Sequence, residues 1–252
     1  MNVHAIYFSP TGSTEKIVKV IAKELGDYQM LDLSTQDPLV PQSFAPDDLC
    51  AIGVPSYGGR VPSVVLERMN ACQGSNTNAV LVVSYGNRAY DDTLKELADF
   101  VEKRGFHCVA AIAAVAEHSI MHQFATGRPD ESDQKELAQF AQKILDKINS
   151  GTTGEKLNVP GNFPYREYKG VPLKPKATGK CMGCGLCAKS CPVGAIPLDD
   201  PKKTDKTLCI SCMRCISLCP NNARKVNSLM VKVASKKMEA ACSEKRSNEL
   251  FI

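Results

Sequence analysis

The chain has 252 residues, is 43% hydrophobic and 23% charged, and carries a formal net charge of +4. That balance fits a globular protein and excludes a disordered or fibrous chain. No apolar run approaches the roughly 20 residues of a membrane span, and the opening MNVHAIYFSPTGST lacks the basic stretch and apolar core of a signal peptide, so a cytoplasmic protein is expected.

The charge is unevenly placed. Residues 1–150 hold 13 Lys and Arg against 19 Asp and Glu, a net −6, whereas residues 151–252 hold 18 against 8, a net +10. The two halves should attract each other, and the basic half suits an acidic partner. A basic balance alone is weak evidence for nucleic acid, which is disfavoured as a partner.

The first 150 residues alternate short apolar runs with segments of helical period. Asn2–Phe8 reads as a buried strand, and Ser13–Leu25 as a helix that Gly26 ends. Gln29–Leu33 is a second short strand and Leu49–Val54 a third. Pro62 opens a helix running to Ala71, since proline is tolerated in a first helical turn. Ala79–Ser84 is the fourth strand, Asp91–Arg104 a helix stopped by Gly105, and Cys108–Ala116 the fifth strand. Glu131–Asn149 is the last helix of this half, with Leu137, Phe140, Ile144, Leu145 and Ile148 on one face. The alternation predicts an α/β fold with a doubly wound, five-stranded parallel sheet. Such sheets bind ligands beyond the carboxyl ends of their strands, where the strand order reverses. The loops after the first, third and fourth strands are therefore the informative ones.

Residues 151–178 read as a linker, because Pro160, Gly161, Pro164, Pro172 and Pro175 oppose regular structure. Its aromatics Phe163, Tyr165 and Tyr168 suggest that it packs down. Residues 179–225 form a small α+β cysteine-rich domain. Residues 226–252 contain a basic helix, about Ser228–Ala241, and a short tail.

Eight of the twelve cysteines lie between Cys181 and Cys219. Cys181, Cys184, Cys187 and Cys191-Pro192 recur 28 residues later as Cys209, Cys212, Cys215 and Cys219-Pro220, and both copies reach an alanine, Ala195 and Ala223, at one offset. Three cysteines at this step can wrap one face of an iron–sulfur cube, while the fourth, before proline, reaches a second cube. Cys181, Cys184, Cys187 and Cys219 are thus expected to hold one [4Fe–4S] cluster, and Cys191, Cys209, Cys212 and Cys215 the other. Structural zinc uses paired knuckles and does not call for this doubled run. The region resembles the two-cluster bacterial ferredoxins, which implies one-electron transfer at low potential. Lys180, Lys189 and Arg214 beside the clusters would raise those potentials. Cys50, Cys72 and Cys108 read as buried small residues.

Ser9-Pro10-Thr11-Gly12-Ser13-Thr14 follows the first strand and opens a helix, a place where backbone N–H groups attract phosphate. An ordinary N-cap would use the same residues. Neither the Walker A nor the G-x-G-x-x-G pattern is present. Residues 1–150 resemble the flavodoxin family, whose phosphate loop has a Ser/Thr-x-Thr-Gly-x-Thr pattern here. The resemblance implies bound FMN, with Ser9, Thr11, Gly12, Ser13 and Thr14 at its phosphate. It also assigns the ring to the loops Pro55-Ser56-Tyr57-Gly58-Gly59 and Tyr85-Gly86-Asn87-Arg88-Ala89-Tyr90-Asp91. Tyr57 is a candidate to cover the ring, Tyr90 to stack on it, and Asn87 to bond its pyrimidine. Arg60 is expected near the flavin or at the surface. His118, Ser119 and His122 follow the fifth strand at the same end and are further candidates for contact with flavin or substrate.

The whole chain resembles the flavodoxin–ferredoxin fusion proteins of anaerobic bacteria and archaea. The resemblance implies an electron carrier linking two [4Fe–4S] clusters to FMN in low-potential anaerobic metabolism, with redox proteins as partners and a homodimer allowed. The alternative is an enzyme, an iron–sulfur flavoprotein reducing a quinone, a nitro compound or a similar small molecule. No nicotinamide-binding domain is evident in the sequence.

Overall fold

A computed structural model describes residues 2–252. The N-terminal part runs β1 (Val3–Tyr7), α1 (Ser13–Leu25), β2 (Tyr28–Asp32), β3 (Gln42–Phe44), β4 (Leu49–Pro55), α2 (Ser63–Met69), β5 (Cys72–Gly74), β6 (Thr77–Tyr85), α3 (Thr93–Lys103), β7 (Phe106–Val115) and α4 (Glu131–Asn149). The remainder contains β8 (Lys176–Ala177), α5 (Leu186–Lys189), α6 (Arg214–Ser217), β9 (Arg224–Lys225), α7 (Ser228–Cys242) and β10 (Glu249–Phe251).

The five long strands lie in the order β2-β1-β4-β6-β7 and pair in parallel. This is the flavodoxin-like order, with its switch point between β1 and β4. Both faces of the sheet are covered, and side chains alternate between them as strand period demands. Leu81 and Val83 pack with Ile6, Ile52, Leu94, Leu97 and Val101 under α2 and α3. Val80 and Val82 pack with Ala5, Ile17, Ile21, Leu137 and Ile144 under α1 and α4. Cys50, Cys72 and Cys108 are buried.

Helix α4 begins in a capping box. Asp130 accepts from the Asp133 N–H at 3.0 Å, and Asp133 accepts from the Asp130 N–H at 2.9 Å.

The chain adds a sixth strand that the alternation did not foretell. β10 pairs antiparallel with β7, Leu250 lying opposite Ile112. Asn248 leads into it: its Oδ1 accepts from the Val115 N–H at 2.9 Å, and its Nδ2 donates to Asp133 and Glu136 at 3.0 and 2.6 Å. Three residues in an antiparallel edge pairing are too few to give a period, so side-chain bonds set the register. The segment expected as a linker also ends in structure, since β8 pairs with β9 of the cysteine-rich part.

Candidate functional site

A cavity of about 280 Å³ opens at the carboxyl ends of the central strands. Pro10, Thr11, Ser13 and Thr14 line it after β1, Pro55–Gly59 after β4, Ser84–Gly86, Arg88 and Ala89 at the end of β6, and Ala116–Met121 after β7. The helix α1 terminus faces this space. Ser9 shapes the loop and is absent from the wall: its Oγ accepts from the Glu15 N–H at 2.9 Å, and its own N–H donates to Ser34 Oγ at 2.7 Å. Gly12 turns the chain into α1. Thr14 Oγ1 and Ser84 Oγ share a hydrogen bond of 2.7 Å, which ties the β1 loop to β6. Among the described residues, the N–H groups of Ser13 and Thr14 have no protein acceptor.

The loops after β4 and β6 divide their work. Tyr57 and Arg60 exchange backbone hydrogen bonds of 3.0 and 3.2 Å, closing a tight turn over Gly58 and Gly59. Arg60 points away from the cavity and forms a two-pronged pair with buried Glu96, at 2.8 and 2.6 Å. Arg88 lines the cavity and pairs with Asp91, which also meets Arg166 of the linker at 2.6 Å. Asn87 does not reach the cavity. Its Nδ2 donates to the carbonyls of Cys242 and Glu244 at 2.8 and 2.9 Å, and its Oδ1 accepts from the Arg246 N–H. Tyr90 lies behind the wall, edge-on to Tyr85 with ring centroids 5.2 Å apart, and its hydroxyl donates to Glu249 at 3.0 Å. The expected stacking and pyrimidine contacts of Tyr90 and Asn87 are thus replaced by bonds to the C-terminal segment.

His118 faces the cavity, seated against Gly86, where a Cβ would fall 2.8 Å from the ring. Its Nδ1 accepts from the N–H groups of Ile120 and Met121, both at 3.2 Å. Burial, with the charges of His122 and Arg88, pushes its pKa down to about 4. The ring is therefore neutral at pH 7 and carries its proton on Nε2. His122 turns instead to Glu117, at 2.6 Å.

Sequence reasoning missed the remaining walls. Tyr168, Gly170 and Val171 of the linker, Ile210 and Ser211 of the cysteine-rich part, and Met238 of α7 close the cavity. Only Tyr168 left a signal, as an aromatic residue in a proline-rich stretch. Burial, with the Cys212 and Cys209 thiols and Tyr168 nearby, pushes the Tyr57 phenol well above the usual tyrosine range. Tyr57 thus lines the cavity with two of the cysteines nearby.

The eight cysteines gather around two further cavities. One is lined by Cys191, Cys209, Cys212 and Cys215, the other by Cys181, Cys184, Cys187 and Cys219. Each set is the one expected from the crossed ferredoxin pattern. Among the described residues, no His, Cys, Asp or Glu group is arranged to hold a single metal ion. Burial pushes the Cys212 and Cys215 thiols up to about 12; such thiols lose their protons when metal coordinates them. One arginine lines each cavity, Arg214 the first and Arg224 the second, and in both the Nε is buried without a hydrogen-bond partner. An orphaned buried donor beside four thiols fits an anionic iron–sulfur group.

The cysteine-rich part is bonded directly to the sheet domain. Gln36 Nε2 donates to the carbonyls of Ala188 and Cys191 at 2.8 and 2.5 Å, and Arg68 donates to that of Pro192 at 2.8 Å. Arg214 reaches the carbonyls of Ser9 and Pro10 at 3.4 Å.

Comparison with known proteins bears on the cysteine-rich part. Residues 180–223 match the family of 4Fe–4S dicluster domains. A component of the ion-translocating oxidoreductase complex of Methanosarcina acetivorans is 36% identical over 56 residues, covering 22% of this chain and 21% of that protein. The chain thus spans about a fifth of that curated relative. Among solved structures, a flavodoxin of Streptococcus pneumoniae TIGR4 is 18% identical, with a TM-score of 0.42 over 58% of this chain and 99% of its own. A flavodoxin from the domain Archaea is 14% identical, with a TM-score of 0.42 over 59% and 99%. The azoreductase of Bacillus anthracis is 10% identical, with a TM-score of 0.39 over 58% and 100%. The strand order, and not these distant likenesses, carries the fold of the N-terminal part. No described helix is long and apolar enough to cross a membrane.

Proposed function

We infer that this chain, a flavodoxin–ferredoxin fusion, relays electrons between two [4Fe–4S] clusters and an FMN held in the large cavity. One observation carries the reading. Ile210 lines both the large cavity and the cavity of Cys191, Cys209, Cys212 and Cys215, and it follows Cys209 directly, two residues before Cys212. The flavin space and one cluster space therefore share Ile210 as a common wall residue. We assign the cluster of Cys191, Cys209, Cys212 and Cys215 as proximal, and that of Cys181, Cys184, Cys187 and Cys219 as distal. Cys184 is exposed, which suits exchange with an outside redox protein.

FMN, when bound, accepts two electrons and passes them singly to one-electron centres. The residues serve this in separable ways. The free N–H groups of Ser13 and Thr14 and the hydroxyls of Thr11 and Ser13 hold a phosphate with neutral donors. Tyr57, Gly58 and Gly59 form one wall for the ring, and Tyr85, Gly86 and Arg88 another. Neutral His118 offers an Nε2–H donor without adding a charge. Residues 1–150 act as the flavin domain, 151–178 as a linker that walls its cavity, 179–225 as the cluster domain, and 226–252 as a tail that seals the assembly.

The relay is favoured over the small-molecule reductase because Tyr168, Val171, Ile210 and Met238 add their side chains to the cavity walls and narrow the room left beside a bound flavin. Anaerobic purification of the full chain, with iron, sulfide and flavin counted on one sample, tests the reading. About eight irons and one FMN are expected. Irons without FMN after reconstitution would overturn it, as would rapid turnover of quinones or nitro compounds.

A further inference from the structure

The two cysteine repeats differ at two positions that face the cluster cavities. Leu186 and Ile196 of the first repeat correspond, at the same 28-residue offset, to Arg214 and Arg224 of the second. Because the fourth cysteine of each repeat crosses over, each cavity receives one aliphatic side chain and one arginine. Arg224 and Leu186 line the cavity of Cys181, Cys184, Cys187 and Cys219; Arg214 and Ile196 line the other.

Both arginines are short of partners. Arg224 is only 1% exposed, and it donates only to neutral acceptors: Thr204 Oγ1 at 2.8 Å and the Lys203 carbonyl at 3.0 Å. Among the described residues no carboxylate pairs with it. Arg214 bonds only the Ser9 and Pro10 carbonyls. In each, the Nε is buried and unpartnered. For Arg224, a buried guanidinium without a counter-charge is strongly unfavourable; for half-buried Arg214 the cost is that of the unmade buried hydrogen bond at Nε, which Arg224 bears as well. The missing partner must therefore be anionic, must accept hydrogen bonds, and must sit in the cysteine cavities. A cube with four thiolates carries about −2 and meets all three demands.

We propose that Arg224 and Arg214 are the dedicated counter-ions of the two clusters, one each, donating Nε–H to cluster sulfur and raising the potential of the cluster each faces. The proposal rests on the two-cluster reading. Uptake of one electron takes a cube from about −2 to −3, so a fixed cation and a hydrogen bond favour the reduced form. Arg214 does more than Arg224, because the same side chain grips the carbonyls of the candidate phosphate loop. It mechanically joins the proximal cluster to the flavin loop.

The test uses the full chain, reconstituted anaerobically, with each cluster's potential read by EPR-monitored titration. Arg224→Ile and Arg214→Leu copy the first repeat. Each is expected to lower the potential of one cluster more than that of the other, and the two variants should affect opposite clusters. Arg224→Lys keeps the charge but loses Nε–H, and is expected to fall between wild type and Arg224→Ile; with Arg214→Leu it carries the test where Arg224→Ile does not fold. Unchanged potentials at full iron content would overturn the proposal, as would equal shifts of both clusters. Wild-type protein holding well under eight irons would instead overturn the two-cluster reading itself.

Discussion

Tyr168 lies so close to Gly58 that a Cβ on the glycine would fall 2.3 Å from the ring's Cδ2. Gly58 also has φ of +60°, where a side chain is strained. The linker and the β4 loop can therefore form one wall only while residue 58 is glycine. Gly58→Ala is expected to destabilise the protein by about 1–3 kcal/mol and to weaken flavin retention. Adding Tyr168→Ala should relieve the clash and leave only the backbone strain, which a double-mutant cycle by urea unfolding would read.

Asn248 holds the final strand through three bonds. Asn248→Ala would leave the buried Val115 N–H without its acceptor, at a cost of about 1–3 kcal/mol. Asn248→Asp should be worse, because a carboxylate would face Asp133 and Glu136. Chemical unfolding of the two variants checks the order.

Acid should destabilise the fold in two stages. The unfolded chain protonates His118 near 6.5, while the folded chain keeps it neutral down to about 4. Stability therefore falls as pH drops through that window. Burial alone would raise the Asp133 carboxyl, but Arg128, the Asp130 N–H and Asn248 outweigh it and hold it down to about 2. Its contribution, about 2 kcal/mol, is fully present above the unfolded value of 3.8 and is lost as pH falls toward 2. Urea midpoints measured from pH 7 to 2 should show both stages, and His118→Gln should remove only the upper one.

Single ligand changes should separate the clusters. Cys212→Ser and Cys184→Ser are each expected to lose about four of the eight irons. Stopped-flow reduction of flavin by the remaining cluster should be slow in Cys212→Ser, which keeps only the distal group, and near wild type in Cys184→Ser. Equal rates would contradict the assignment of the proximal cluster.

The doubly wound sheet was legible because buried strands and amphipathic helices write their periods locally. The cysteine sets were legible for a similar reason: a spacing of two residues, repeated at 28, is a local pattern with one geometric use. The loops Pro10–Thr14 and Pro55–Gly59 followed from their places after strands. Tertiary structure decided the rest. Asn87 and Tyr90 look like ligand contacts in their loop, yet they bond residues 242–249, more than 150 positions away. No local pattern encodes which distant carbonyl will satisfy an amide. Ile210, Met238 and Tyr168 meet at one cavity only because three separate segments fold over it. Arg224 is the sharpest case. In sequence it is one basic residue among many in a basic half; its meaning comes from burial, which removes water and leaves its charge in need of an anion.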